Sequence, residues 1–260
     1  MHNRIKAKLA RGESSIGTWQ MIGHPIVSEI LAQAGFDWVV LDIEHGVFDW
    51  PAALGHVQVI QGCGCPVLFR LPISAPEQFK WALDTGAEGV IVPMIRTVED
   101  ARRAIAYAKY PPEGERGISI GRAHAYGAAF EDYVATANAE TLVALQIEHI
   151  DAVDNIEGIC ALPGLDVVFV GPYDLSGTMG LMGQVTHPEV EAAMTHVVRV
   201  AQDAGVTPGL LIVDPKPGEV EQRVTEGFRF ISIGLDTTML VNAVQEMATR
   251  RESRPRIQNE

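Results

Sequence analysis

The chain has 260 residues, of which 47% are hydrophobic and 20% charged, with a formal net charge of −13. That length and apolar content suffice for a full core, and about 250 residues is a usual size for a closed parallel barrel in one domain. The negative balance argues against a nucleic-acid backbone or an anionic membrane surface as partner, since both would be repelled.

The first residues, MHNRIKAKLARGESS, carry charges without the apolar run of a signal peptide. No later stretch approaches the length of a membrane span, so a cytoplasmic protein is expected. SIGTWQ predicts a first strand, and HPIVSEILAQAG a helix stopped by Gly35. FDWVVLDIEHG reads as a second strand ending in polar residues. WPAALGHVQVIQGCG predicts a helix, PVLFRLP a strand, APEQFKWALDTG a helix and EGVIVPM a strand. Cys63 and Cys65, in GCGCP, are too close together for a normal zinc pair and read as small residues at a turn. With Cys160 they form a sparse, odd set that suits a reducing compartment. TVEDARRAIAYAKY opens with Thr97 and Asp100 at capping-box spacing and is ended by Pro111 and Pro112.

Residues 111–141 are an irregular insertion rich in Gly and Ala, with Arg116, Arg122 and His124. A connection this long is rarely structureless, so it predicts a helix or a cover, with His124 a candidate for lining a site. After it, LVALQIE and DVVFV are strands joined by a helix over IDAVDNIEGICAL, long enough for a parallel crossover. A helix at HPEVEAAMTHVVRVAQDAG, a strand at TPGLLIV and a helix from PKPGEVEQRVTEG come next. A strand at FRFISIG and a helix from DTTMLVNAVQEMATRR follow, and the polar tail SRPRIQNE is expected to fray. Eight strands, each followed by helical sequence, predict an α/β fold closed into a (β/α)8 TIM barrel rather than an open sheet. Residues 1–260 are expected to form that single domain, and no glycine-rich dinucleotide or P-loop fingerprint follows any strand.

In such a barrel the strand ends converge on one mouth. The second strand brings Asp42, Glu44 and His45, the third Arg70, the fifth Gln146 and Glu148, and the sixth, past the turn Gly171-Pro172, Asp174. Carboxylates from neighbouring strands repel unless a cation lies between them, and a hard divalent ion is the simplest resident. The plainer alternative makes Glu148 and Asp174 helix caps, Asp42 a structural partner of His45, and Arg70 a rim ion pair. An arginine flanked by apolar residues in PVLFRLP fits that alternative poorly, because an unpaired buried charge is costly.

Other candidates rank below these. Asp236 and Thr237 after Gly234 resemble a phosphate-binding helix start, but Asp236 as a plain N-cap would repel phosphate. His187 marks a helix start, His196 a helix face, and Met179 and Met182 an apolar loop beside Asp174; His24, His56 and His149 have no evident partner. A Schiff-base aldolase needs a desolvated lysine. Of Lys6, Lys8, Lys80, Lys109 and Lys216, only Lys216, between two prolines after the seventh strand, stays open for that role.

At LDIEHG, VLFRLP, GVIVPMI, YPPEGERG, QIE, GPYDLS and THPEV, in order and over nearly its whole length, the chain resembles the HpcH/HpaI family of class II, metal-dependent pyruvate aldolases. The resemblance implies a barrel of the phosphoenolpyruvate/pyruvate superfamily, assembled as a hexamer, a trimer of dimers with the last helix exchanged between neighbours. By position it implies Glu148 and Asp174 as ligands of Mg²⁺ or Mn²⁺, with Co²⁺ also compatible. It implies Arg70 as the residue holding the pyruvyl oxygen and His45 as the catalytic base with Asp42 as its partner. Gln146, Gly171, Pro172 and Tyr173 would then lie at the bound 2-oxo acid, and Asp84, in WALDTG, would reach a neighbouring subunit's site. Tyr173 and His149 depart from the commoner family residues, which bears on substrate range. The implied reaction cleaves or forms a 4-hydroxy-2-oxo acid, giving pyruvate and an aldehyde. The alternatives are a CoA-ester lyase of the malyl/citryl type, using Arg116 and Arg122 for phosphates, and a non-catalytic barrel that binds a metabolite.

Overall fold

Eight apolar segments become strands because each can be buried on both faces, the condition of a parallel sheet covered by helices. They are β1 (Ser15–Gln20), β2 (Trp38–Asp42), β3 (Val67–Arg70), β4 (Gly89–Val92), β5 (Leu142–Ile147), β6 (Val167–Val170), β7 (Thr207–Ile212) and β8 (Phe230–Leu235). In the computed structural model, which describes residues 2–252, they pair in parallel in sequence order, and β8 closes onto β1. The tail SRPRIQNE, expected to fray, lies outside the described residues.

Helix α1 (Arg4–Ala10) precedes the barrel, and α2 (Pro25–Gln33), α3 (Trp50–Gly62), α4 (Pro76–Asp84) and α5 (Val98–Ala108) follow the first four strands. The insertion contains a 3-10 turn at Arg122–Gly127 and α6 (Phe130–Glu140). Next come α7 (Ile150–Asp154) and α8 (Ile156–Cys160) after β5, and α9 (Pro172–Thr178) and α10 (Pro188–Asp203) after β6. The last two are α11 (Glu219–Thr225) and α12 (Asp236–Glu252). The capping box of Thr97 and Asp100 forms at the start of α5 as expected. The single helix expected over residues 150–162 is instead broken at Asn155. Its side-chain amide donates to the Asp151 carbonyl at 2.8 Å and the Arg96 carbonyl at 3.2 Å, drawing the backbone out of helical geometry. Helix α11 starts only at Glu219, since Pro215 and Pro217 lack donors and Gly218 sits at φ +83. Among the described residues no helix is long and apolar enough to cross a membrane.

The barrel interior is filled by side chains that alternate inward along the strands, chiefly Trp19, Trp38, Leu68, Ile91, Phe169 and Phe230. Trp38 stacks on Phe230 with ring centroids 4.2 Å apart. This needs Gly17, where a Cβ would lie 2.1 Å from the Trp38 ring. Ile5 and Leu9 of α1 join the same cluster, so the N-terminal helix plugs the barrel floor. Asn3 fixes it there: its side chain accepts from the Ile5 and Lys6 N–H groups and donates to the Glu88 carbonyl at 3.0 Å and the Glu140 carbonyl at 2.7 Å. The opposite end of the barrel is left to the polar strand ends.

Candidate active site

Asp42 and Arg70 end neighbouring strands in register, so their side chains meet. Arg70 Nε donates to Asp42 Oδ1 at 2.9 Å and Nη2 donates to Oδ2, with the Asp42 side chain fully buried and that of Arg70 11% exposed. The guanidinium carbon lies 4.5 Å from the Trp19 ring centroid, and Nε is 3.3 Å from Glu44 Oε2. Two carboxylates and an aromatic face therefore hold Arg70 in one orientation.

The expected pairing of the His45 ring with Asp42 is not formed. Asp42 Oδ1 accepts the backbone N–H groups of Glu44 and His45, each at 3.1 Å, and Arg70 takes both of its oxygens. A guanidinium in register competes better for a buried carboxylate than an imidazole does, because it offers a permanent charge and two parallel donors. The His45 side chain is consequently 61% exposed, with Nε2 4.0 Å from Glu44 Oε2.

Gln146 and Glu148 are two residues apart at the end of β5, so the strand period points both into the barrel, and each is 3% exposed. Gln146 Nε2 donates to Glu148 Oε2, and the Met94 N–H donates to Glu148 Oε1 at 2.7 Å. Burial, and then the charges of Glu44 and Asp174, push the Glu148 carboxyl above the usual carboxylate range, against the Met94 N–H and Arg70. Glu44 is pushed the same way by burial, with Asp42 and Asp174 adding to it and Arg70 opposing. Asp174 stands in the first turn of α9, exposed, beyond Gly171 and Pro172. Gly171 keeps room for this arrangement, since a Cβ there would lie 3.0 Å from Glu148 Cβ and 3.1 Å from its Oε2.

Asp42, Glu44, Glu148 and Asp174 thus crowd one edge of the barrel, and Arg70 is already bound to Asp42. That excess of negative charge fits a divalent cation. A donor set of two carboxylates suits a hard ion that keeps further positions for water and substrate oxygens. It is not a closed cage: among the described residues no three His, Cys, Asp or Glu side chains converge as one. Gln146 Oε1 is buried without a partner, an acceptor left over at the same place. A cavity of about 80 Å³ opens here, lined by Trp19, Arg70, Gln146, Gly171, Pro172, Tyr173 and Asp174 among others. A groove of about 690 Å³ shares Pro172 and Tyr173 with it and runs on to Lys216.

Other expected residues lie elsewhere. Asp84 ends α4 outside the cavity, bound to the buried Arg116 at 2.7 Å. Arg122 is taken up by Gln61 and the Thr85 carbonyl, so both insertion arginines are engaged within the chain. His124 is not at the mouth; its buried ring accepts the Gly127 N–H at Nδ1 and places Nε2 2.7 Å from the Ser119 carbonyl. Lys216 is exposed and lacks the desolvation a Schiff-base lysine needs. Asp236 accepts the Met21, Ile22 and Thr237 N–H groups, tying the loop after β1 to α12. His24, His149 and His187 are N-caps, and the buried His56 bonds Ser28. Three contributors carried no assigned role in the sequence reading: Trp19, Glu44 and the Met94 N–H. Trp19 alternates with Gly17 on β1, a period-two signal pointing it inward, and Glu44 stood visible at a strand end. No residue type marks the Met94 backbone.

Residues 15–243 match the model of a family described as HpcH/HpaI aldolase/citrate lyase. A hydroxypyruvate/pyruvate aldolase of Roseobacter denitrificans is 33% identical over 250 residues, covering 95% of this chain and 96% of its own. A 5-keto-4-deoxy-D-glucarate aldolase of Klebsiella pneumoniae is 36% identical over 247 residues, covering 95% of each. The crystal structure of an HpcH/HpaI aldolase from Desulfitobacterium hafniense superposes with a TM-score of 0.92 at 30% identity, covering 100% of both chains. An eight-stranded barrel with crowded strand-end acids thus finds its kin, and the chain belongs to the HpcH/HpaI aldolase/citrate lyase family as a class II, divalent-metal-dependent aldolase.

Proposed function

We propose that this aldolase cleaves and forms 4-hydroxy-2-oxo acids, with pyruvate as one product and an aldehyde as the other. The observation that carries the reading is an arginine fixed on Asp42, Glu44 and Trp19 at the strand ends, lining one cavity with Asp174 and with the Gln146 that binds the buried Glu148. In this reading Glu148 and Asp174 hold the cation, Mg²⁺ or Mn²⁺ with Co²⁺ also compatible, and the cation supplies Lewis acidity at the 2-oxo carbonyl. Arg70 faces the 2-oxo oxygen, where negative charge grows as the C3–C4 electron pair passes to the pyruvyl fragment. Its fixed orientation means little reorganisation at that moment. His45, whose Nε2 lies 4.0 Å from Glu44 Oε2, accepts the 4-hydroxyl proton as C4 becomes the aldehyde carbon. Asp42 acts by binding Arg70 and holding the backbone of His45. Gln146, Gly171 and Pro172 wall the oxo-acid cavity, and Tyr173, 53% exposed at its rim, meets the aldehyde half.

The names of the relatives support a pyruvate or hydroxypyruvate partner and a sugar-acid substrate. The CoA-ester alternative loses its cations, because Arg116 and Arg122 are engaged elsewhere. The proposal includes a single-domain chain in a homo-hexamer, a trimer of dimers with the last helix exchanged, in which Asp84 reaches a neighbour's site. It is supported by α12, where Leu240, Val241, Val244 and Met247 are each more than half exposed, as are Ile26 and Ile30 of α2. A cytoplasmic setting is part of the same reading, in keeping with three free thiols.

The test is pyruvate release from a 4-hydroxy-2-oxo acid before and after EDTA, with Mg²⁺ or Mn²⁺ added back. Loss on chelation and recovery on add-back are expected. Activity that survives complete metal removal overturns the cation's role, and full activity in both His45→Ala and Arg70→Ala overturns the residue roles.

A further inference from the structure

Met94 adopts a backbone conformation that its residue type disfavours. It follows β4 and Pro93 and sits at φ +58, whereas the other described non-glycine residues with positive φ, Ala125 and Tyr126, belong to the insertion. Strain of this kind persists only where the surroundings enforce it, and it gathers at functional sites. Here Pro93 on one side is buried and Ile95 on the other is 1% exposed, which anchors the turn. The consequence is directional. The Met94 N–H meets Glu148 Oε1 at 2.7 Å, while the Met94 residue itself is 48% exposed.

Glu148 needs such a restraint. It is buried, and the charges of Glu44 and Asp174 act on it. An unrestrained side chain would rotate away from those like charges. Its two oxygens each receive one donor, Gln146 Nε2 on Oε2 and the Met94 N–H on Oε1. The second donor is backbone, so it has no rotamer of its own to lose.

We propose that Met94 is a positioning residue whose left-handed backbone fixes the orientation of the Glu148 carboxylate, and through it the affinity of the site for its cation. The proposal rests on the reading of Glu148 as a ligand. Partners that orient metal ligands typically change affinity about 10- to 100-fold when lost.

A substitution series separates backbone from side chain. Gly and Asn accept the left-handed region, whereas the β-branched Val and Ile resist it. Mn²⁺ affinity is measured by electron paramagnetic resonance on protein stripped of metal. Met94→Gly and Met94→Asn are expected to bind as tightly as the parent, within about twofold, and Met94→Val and Met94→Ile about tenfold more weakly. Ile and Met have similar volume, so that contrast isolates the backbone. A second readout needs neither metal nor a variant at position 94. The Met94 amide is expected to exchange slowly in metal-free protein and at least about tenfold faster in Glu148→Ala. A flat Mn²⁺ series, an order that follows side-chain volume, or a Met94 amide indifferent to Glu148→Ala overturns the proposal alone. A parent protein that binds no Mn²⁺ overturns the ligand reading beneath it.

Discussion

At the floor of the barrel each half-buried acid meets a donor of its own, and at the mouth the acids crowd one another. Asp37 receives Lys8 and the Ile16 N–H, Asp166 receives Lys6 and the Val143 N–H, and Glu88 receives the Val67 N–H and the Gln61 amide. These contacts tie the starts of β1, β3 and β5 to the helix below and to each other. The mouth uses the same residue types with a different balance: burial raises Glu88 at the floor as it raises Glu44 and Glu148 at the mouth, but only at the mouth do neighbouring carboxylates, Asp174 among them, add to the shift. Matched acids hold the barrel together. Crowded acids repel one another, and the rigid strands hold them together against that repulsion.

The largest effect that follows separates activity from stability. Glu148→Gln or Asp174→Asn is expected to lower kcat/KM on the order of a thousandfold, while the melting temperature stays level or rises because a like charge has gone. Pyruvate release and thermal unfolding of the same samples check this. A melting temperature several degrees lower would show that these acids also hold the fold, and the contrast between the two ends would break.

Arg70 sharpens the contrast because it belongs to both sides. Its removal leaves Asp42 buried without its counter-charge, so Arg70→Ala is expected to cost about 3 kcal/mol of stability as well as about a hundredfold in turnover. Adding Asp42→Asn to it should restore part of the stability and none of the turnover, as read by urea unfolding and rate assays. At the floor, Asp37→Ala removes partners from Lys8 and from the Ile16 N–H, and a cost of about 2 kcal/mol is expected with kcat unchanged.

The barrel was legible because its signals are local: apolar runs long enough for strands, glycine and proline at their ends, and the Thr97 capping box. The gathering of Asp42, Arg70, Glu148 and Asp174 was legible as well, since strand order follows chain order and brings their ends to one edge. What escaped depends on competition between groups that no spacing encodes. Asp42 had two candidate partners within reach, and register gave it to Arg70 rather than to the His45 ring. The Met94 turn escaped for a related reason, as the carboxylate that its N–H meets belongs to Glu148, 54 residues away. The floor escaped too. Asn3, Lys6 and Lys8 lie in a stretch that reads as a charged, short helix, and nothing local says that it plugs a barrel.

Lys109 is the floor's exception and gives the smallest expected effect. It is 2% exposed, and its Nζ donates to the Asn138 carbonyl at 2.6 Å and the Thr141 carbonyl at 2.8 Å, just before β5. Among the described residues no carboxylate lies within ion-pair distance of it. Burial pushes its ammonium down to about 8, with Asp166 pulling the other way. An unfolded lysine titrates near 10.4, so between about pH 8 and pH 10 the unfolded chain binds more protons than the folded one. Stability contributed by this group therefore rises with pH in that window, and below it the full cost of the buried charge is carried. Relative to Lys109→Met, the parent should gain about 1 kcal/mol between pH 8 and pH 9, measured by urea unfolding of both proteins at each pH. The difference matters more than the parent's curve, because other groups titrate there as well. A flat difference would mean that the two carbonyls hold the ammonium as well as water does. The floor would then contain no unmatched charge, and the mouth alone would hold charges at a cost.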